Sequence, residues 1–198
     1  MTTILHLDSS AKPQGSATKD LTRATVEKLQ QADPDSKVIY HDLAANPLPH
    51  LSPETLAALF TGQDHAGVQL SDKLVDELLA ADTIVIGAPM YNFGIPSQLK
   101  AWIDHVWRAG KTFKYTAEGT VNGLAAGKKA IIVVSTGGIY AEGPMVPFDH
   151  VTPYLKQALG FIGITDVTVI RAEKQAFGAE IAAQEIQTAK QEIETKVA

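Results

Sequence analysis

Five short apolar runs, at Thr3–Leu7, Lys37–Tyr40, Thr83–Ile86, Ala130–Val134 and Val167–Ile170, are separated by segments whose apolar residues recur at helical spacing. Short runs rich in β-branched residues read as strands buried on both faces. Parallel neighbours need a crossover of a dozen or more residues, usually a helix. The chain therefore predicts a parallel sheet with helices on both faces. Of the two common doubly wound orders, 3-2-1-4-5-6 and 2-1-3-4-5, five strands without a sixth select the second. In that order the chain reverses direction between the first and third strands, and the crevice there is where such sheets bind ligands.

The intervening helices carry their own signals. The first follows Ser9–Gly15 and uses Leu21, Ala24 and Leu29. Ser52-Pro53-Glu54 supplies an N-cap, a proline at N1 and a first-turn acid. Another helix begins near Ser71 with Leu74, Val75, Leu78 and Leu79 as its stripe, and a fourth runs through Leu99, Trp102, Ile103 and Val106. A fifth spans Val151–Ile162, and the last, Glu180–Lys196, packs Ile186, Ala189, Ile193 and Val197. No repeat, low-complexity tract or linker interrupts the pattern, so residues 1–198 read as one domain.

Three loops at the predicted crevice look unlike ordinary connections. After the third strand, Pro89-Met90-Tyr91-Asn92-Phe93-Gly94 places large side chains outside the core, where they can lie against a planar ring. After the first strand, Ser10, Ser16 and Thr18 surround a helix start, whose free amides and dipole suit an anion such as a terminal phosphate. N-cap preference explains the same hydroxyls. After the fourth strand, Ser135-Thr136-Gly137-Gly138 lets backbone approach a ligand closely, or simply makes a glycine turn.

Several classes are excluded or disfavoured. There is no G-x-G-x-x-G after the first strand. Gly123 to Lys129 departs from a P-loop in spacing, lacks the Ser/Thr after lysine and precedes a strand, so it reads as a turn. No G-x-S-x-G elbow exists to anchor a hydrolase triad. The absence of cysteine removes disulfides, thiolate nucleophiles and Cys-ligated metals, and six histidines without paired spacing predict no metal site. A net charge of −5 disfavours nucleic acid as a partner. No apolar run is long enough for a membrane span. With no signal-like start, a cytoplasmic location is the expectation.

Ala88-Pro89-Met90-Tyr91-Asn92-Phe93, with Pro96-Ser97-Gln98-Leu99-Lys100 and Asp104, resembles the FMN-dependent NADH:quinone oxidoreductases known as azoreductases. The likeness continues through Asp42-Leu43-Ala44, Phe113-Lys114-Tyr115-Thr116, Val151-Thr152-Pro153-Tyr154-Leu155 and Leu159-Gly160-Phe161-Ile162-Gly163. It implies a flavodoxin-like fold, bound FMN, and a homodimer with active sites at the interface. It also implies two-electron, ping-pong hydride transfer from NADH through FMN to quinones or azo compounds, with no catalytic acid, base or nucleophile.

By position, Ser10, Ser16, Ala17 and Thr18 would hold the FMN phosphate. Met90, Tyr91, Asn92 and Phe93 would hold the isoalloxazine, and Ser135, Thr136, Gly137 and Gly138 its polar edge. Phe113, Tyr115, Phe161 and Phe60 would line the substrate side, partly from the other subunit. Ala17 and Thr136 depart from the resemblance, where relatives often carry a polar residue and some an arginine respectively. The alternatives are a flavodoxin-type electron shuttle and a binding module without flavin on the same fold.

Overall fold

A computed structural model describes residues 1–197. Strands β1 (Thr3–Asp8), β2 (Lys37–Asp42), β3 (Thr83–Pro89), β6 (Lys129–Ser135) and β7 (Asp166–Ala172) form one parallel sheet in the order β2-β1-β3-β6-β7. This is the predicted 2-1-3-4-5 order, because a separate two-stranded hairpin, β4 (Phe113–Tyr115) and β5 (Val121–Gly123), takes the intervening numbers. The hairpin was not expected: three-residue strands carry too little periodicity to be read locally. Gly123 closes it, so the predicted turn into the fourth sheet strand begins only at Leu124.

Alternation along the strands divides the core. Leu5 and Leu7 of β1, Ile84 and Ile86 of β3, and Ile132 and Val134 of β6 face one layer. That layer holds α3 (Ala66–Ala80), α4 (Ser97–Val106) and α5 (Thr152–Phe161), with α2 (Pro53–Thr61) beside α3. Ile4, Val85, Ile131, Val133 and Ile170 face the other, against Leu21 and Val26 of α1 (Ala17–Ala32) and Ala189 and Ile193 of α6 (Ala179–Lys196). Each fully buried Leu or Ile contributes roughly 1.5–3 kcal/mol, so a one-residue slip in a central strand would expose several such side chains at once.

Local chemistry sets the helix starts. Ser52 caps α2 through the Thr55 amide at 3.1 Å. The third helix starts five residues before the predicted Ser71, because the His65 ring nitrogen accepts the Gly67 amide at 3.0 Å. Histidine is an unusual cap, and Gly67 weakens the local helix signal. At the hairpin, a Cβ on Gly123 would lie 2.2 Å from the backbone of Ile162 and Gly163, so only glycine lets β5 close on the end of α5. Trp102 of α4 is buried, whereas Trp107 lies just past the helix end, half-buried and stacked on Phe161. No helix among the described residues is long and apolar enough to cross a membrane.

Candidate functional site

The carboxyl ends of β1, β3 and β6 open onto a cleft of about 640 Å³, within the roughly 300–1,000 Å³ of small-molecule sites. Behind the lining, at the end of β1, Asp8 anchors a polar cluster. Asp8 accepts the Thr22 hydroxyl at 2.8 Å and the Tyr40 phenol at 3.0 Å, with His6 Nε2 at 3.5 Å. Burial, then the Asp8 charge, pushes the Tyr40 phenol above its ordinary range, so Tyr40 stays a neutral donor. Gly87 permits this packing: a Cβ there would meet Asp8 Oδ1 at 2.9 Å and Thr22 Cγ2 at 3.0 Å.

The loop after β1 forms one end. Ser9 donates to the Gly87 carbonyl at 2.6 Å, fixing the loop to β3. Ser16 caps α1, accepting the Lys19 amide at 3.4 Å. The amides of Ala17 and Thr18, in the first turn, have no acceptor among the described residues. Ser10, Ser16 and Ala17 line the wall, with Lys12 as its one cationic side chain. Free amides, a hydroxyl, a lysine and the positive end of a sixteen-residue helix together suit an anion.

The loop after β3 is a tight turn. Tyr91 and Gly94 exchange backbone hydrogen bonds at 2.9 and 3.0 Å, and Asn92 and Phe93 both have positive φ, 49° and 69°. This is the geometry of a type I′ turn, where Asn is at home and Phe is not. Met90 is anchored by its amide to the Ser135 carbonyl at 2.8 Å. The Phe93 ring meets Phe148 at 5.4 Å and Tyr140 at 6.3 Å. Strain of this kind, on the order of 1–3 kcal/mol, persists where surrounding structure enforces it.

The loop after β6 is polarised. The carbonyls of Thr136, Gly137 and Gly138 accept the amides of Gln175, Ala176 and Lys174 at 3.0–3.1 Å. The Thr136 hydroxyl is also spent on Gly138, at 2.8 Å. The amides of Gly137 and Gly138 have no acceptor among the described residues. The loop thus has donors to spare and no free carbonyl in this stretch, which suits the acceptor-rich edge of a heterocycle.

Of the residues singled out from the sequence, Ser10, Ser16, Ala17, Met90, Tyr91, Ser135, Thr136 and Gly137 line this one cleft. Thr18 lies buried beside Ser16, their hydroxyls 3.2 Å apart. Asn92 and Phe93 sit on the turn above the wall, and Gly138 lies under the Tyr140 ring. Phe113, Tyr115 and Phe161 are elsewhere, in an aromatic cluster with Trp107, whose ring stacks on Phe161 at 4.6 Å. Phe60 stands on α2, 82% exposed. Within one chain these four aromatics are not brought to the cleft.

One wall was not foreseen. Ala179, Ala182, Ala183 and Ile186 of α6 face the cleft, with Gln175 and Ala176 before them. Their i, i+3, i+4, i+7 spacing was visible but reads as ordinary core packing. Among the described residues no group of three or more His, Asp or Glu could hold a metal ion. His41 is paired with Glu77 at 2.7 Å, and His105 bonds the Pro49 carbonyl at 2.9 Å.

The whole arrangement matches known proteins. A family model for the flavodoxin-like fold matches residues 2–197. A relative from Herminiimonas arsenicoxydans, called FMN-dependent NADH:quinone oxidoreductase, is 50% identical over 186 residues, 91% of each chain. One from Idiomarina loihiensis, called FMN-dependent NADH:quinone oxidoreductase 1, is 50% identical over 192 residues, 97% of this chain and 98% of its own. The crystal structure of an azoreductase from Bacillus anthracis superposes with a TM-score of 0.90 at 30% identity, covering 100% of this chain and 99% of the other.

Proposed function

Because the chain belongs to the flavodoxin-like family of FMN-dependent NADH:quinone oxidoreductases, we propose that it passes two electrons from NADH through bound FMN to quinones or azo compounds. The observation that carries this reading is the single cleft joining an anion-suited helix start to spare amide donors, with Met90 and Tyr91 between them. Those are the needs of a phosphate, a polar ring edge and a ring face. When bound, FMN supplies hydride acceptance and donation, so the chain needs no acid, base or nucleophile of its own.

The chain's residues orient and hold. Ser10, Ser16, Ala17 and Thr18 would secure the phosphate through the first-turn amides and hydroxyls, with Lys12 balancing charge. Met90, Tyr91, Asn92 and Phe93 would hold the isoalloxazine, and the strained turn gives them a rigid seat beside the cleft. Ser135, Thr136, Gly137 and Gly138 would meet the polar edge with backbone amides. Thr136 brings no cation there, because its hydroxyl is neutral, and that hydroxyl is turned onto its own loop.

The remaining aromatics support a homodimer. Phe60 and Tyr115 are 82% and 67% exposed, yet Phe113, Tyr115, Phe161 and Phe60 lie away from the cleft of their own chain. Supplied by a second copy, the exposed Phe60 and Tyr115 would cover the open ring face and line the substrate side, with Phe161 and the buried Phe113 packed behind Tyr115. The expected cytoplasmic location goes with an NADH-dependent activity.

The test is the anaerobic visible spectrum of the purified protein. Bleaching of flavin absorption by NADH and its recovery with a quinone, without any added reductase, are the expected results. Initial rates should give the parallel lines of one site used in turn. A protein that stays colourless with added FMN would overturn this reading. One that binds FMN but ignores NADH would be an electron shuttle.

A further inference from the structure

The cleft described above does not explain Glu173. This carboxylate, 8% exposed, stands just beyond β7 and lines no wall of the cleft. Its Oε1 accepts two backbone amides, those of Tyr140 at 2.8 Å and Ala141 at 3.0 Å. Arg171 lies behind it, with Nη1 3.8 Å from the same oxygen and Nη2 donating to Asp149 at 2.7 Å and Thr152 at 2.6 Å.

The grip closes a clasp between two loops. The loop after β6 is already laced to the segment after β7 by four backbone bonds: Thr136 to Ala172, Lys174 to Gly138, Gln175 to Thr136 and Ala176 to Gly137. That lacing consumes the loop's carbonyls and requires Lys174 to hold φ +56°, strained for a residue with a side chain. Beyond Gly138 no backbone bond among the described residues holds Tyr140 or Ala141, and Glu173 takes over there. The Tyr140 ring then lies 3.4 Å from where a Gly138 Cβ would stand, and meets Phe93 of the opposite turn at 6.3 Å. One buried carboxylate therefore fixes the glycine loop at its far end and joins it to the turn after β3.

We infer that Glu173 is a positioning residue for the flavin ring: it holds the loop so that the amides of Gly137 and Gly138 remain free donors toward the ring's polar edge. This rests on the flavin reading above. Without the grip, the far end of the loop is untied beyond Gly138, and the amides of Gly137 and Gly138 lose their fixed aim at the ring edge. Charge-assisted bonds are roughly twice as strong as neutral ones, which suits a carboxylate to this task.

The test compares the holoprotein with Glu173→Ala and Glu173→Gln. Glu173→Ala should weaken FMN and riboflavin alike by about tenfold, leaving the ratio of the two affinities unchanged, because the phosphate end is untouched. The shape of the bound-flavin absorption band should change with it. Glu173→Gln keeps an oxygen that accepts both amides and should restore affinity to within about threefold of wild type. Equal flavin affinity and an equal spectrum in Glu173→Ala, or no rescue by Gln, overturns the inference.

Amide exchange in the wild type needs no variant to fold. Without flavin, Tyr140 and Ala141 should exchange at least about tenfold more slowly than Gly137 and Gly138, which should slow when FMN is added. Equally fast exchange at all four in the flavin-free protein overturns the clasp. A wild-type chain that binds neither flavin overturns the flavin reading itself, and is recognised before any variant is compared.

Discussion

The Tyr91 phenol accepts the backbone amide of Ala11 at 3.1 Å, across the crevice between the loops after β3 and β1. It gives the ring-side turn and the anion-side loop one shared contact at the point where the sheet reverses direction. Tyr91→Phe keeps the ring and removes this acceptor. Stability should fall by about 0.5–1.5 kcal/mol, measured as the urea midpoint, with faster exchange of the Ala11 amide. An unchanged midpoint would show that the bond carries no load.

Ser16 serves the helix and the proposed phosphate at once. Ser16→Ala should cost about 1 kcal/mol of stability through the lost cap. It should also weaken FMN more than riboflavin, which lacks the phosphate, as measured by fluorescence titration. An equal loss for both flavins would place the phosphate away from the start of α1.

Phe93 inverts an ordinary rule. At φ +69° a glycine is at ease, whereas an alanine there pays about 1–2 kcal/mol. Both Phe93→Gly and Phe93→Ala lose the contacts with Phe148 and Tyr140, so their difference isolates the backbone. The glycine variant should be the more stable by about 1 kcal/mol in denaturant titration. The reverse order would mean that the turn relaxes once the ring is gone.

Asp149 predicts the acid limb of the stability curve. Burial raises its pKa, but the Arg171 hydrogen bond, the Thr152 amide and the Arg171 charge together outweigh burial and hold it below the ordinary value. A depressed folded-state pKa means stability that is present above the unfolded value, about 4, and lost as pH falls through the folded one. Asp149→Asn keeps an acceptor for the Val151 and Thr152 amides, both at 3.0 Å, but loses the ion pair. It should lower stability at neutral pH by about 1.5–3 kcal/mol and flatten the fall below about pH 4. Parallel acid limbs in the two proteins would count against the pair.

Much of this molecule is legible locally. The runs Thr83–Ile86 and Ala130–Val134 announce buried strands by their β-branched content, and Ser52-Pro53 announces a helix by its cap. The odd loops stand out because Tyr91 and Phe93 stay exposed while only Met90 packs against the core, and because Gly137-Gly138 follows a strand abruptly. What escaped were features resting on distant partners. The β4–β5 hairpin depends on Gly123 meeting Gly163, forty residues away by number. The α6 wall carries the same stripe any core helix would.

The sequence by itself determined the five strands of the parallel sheet, their order and which three loops meet at the crevice, because periodicity and turn chemistry act over a few residues. Tertiary structure alone decided the polarity of the site. The amides of Gly137 and Gly138 are free only because Lys174, Gln175 and Ala176 occupy the neighbouring carbonyls and Glu173 secures Tyr140. A hydrogen-bonding group's partner is set by which strands lie side by side, and nothing in the local run of residues specifies it.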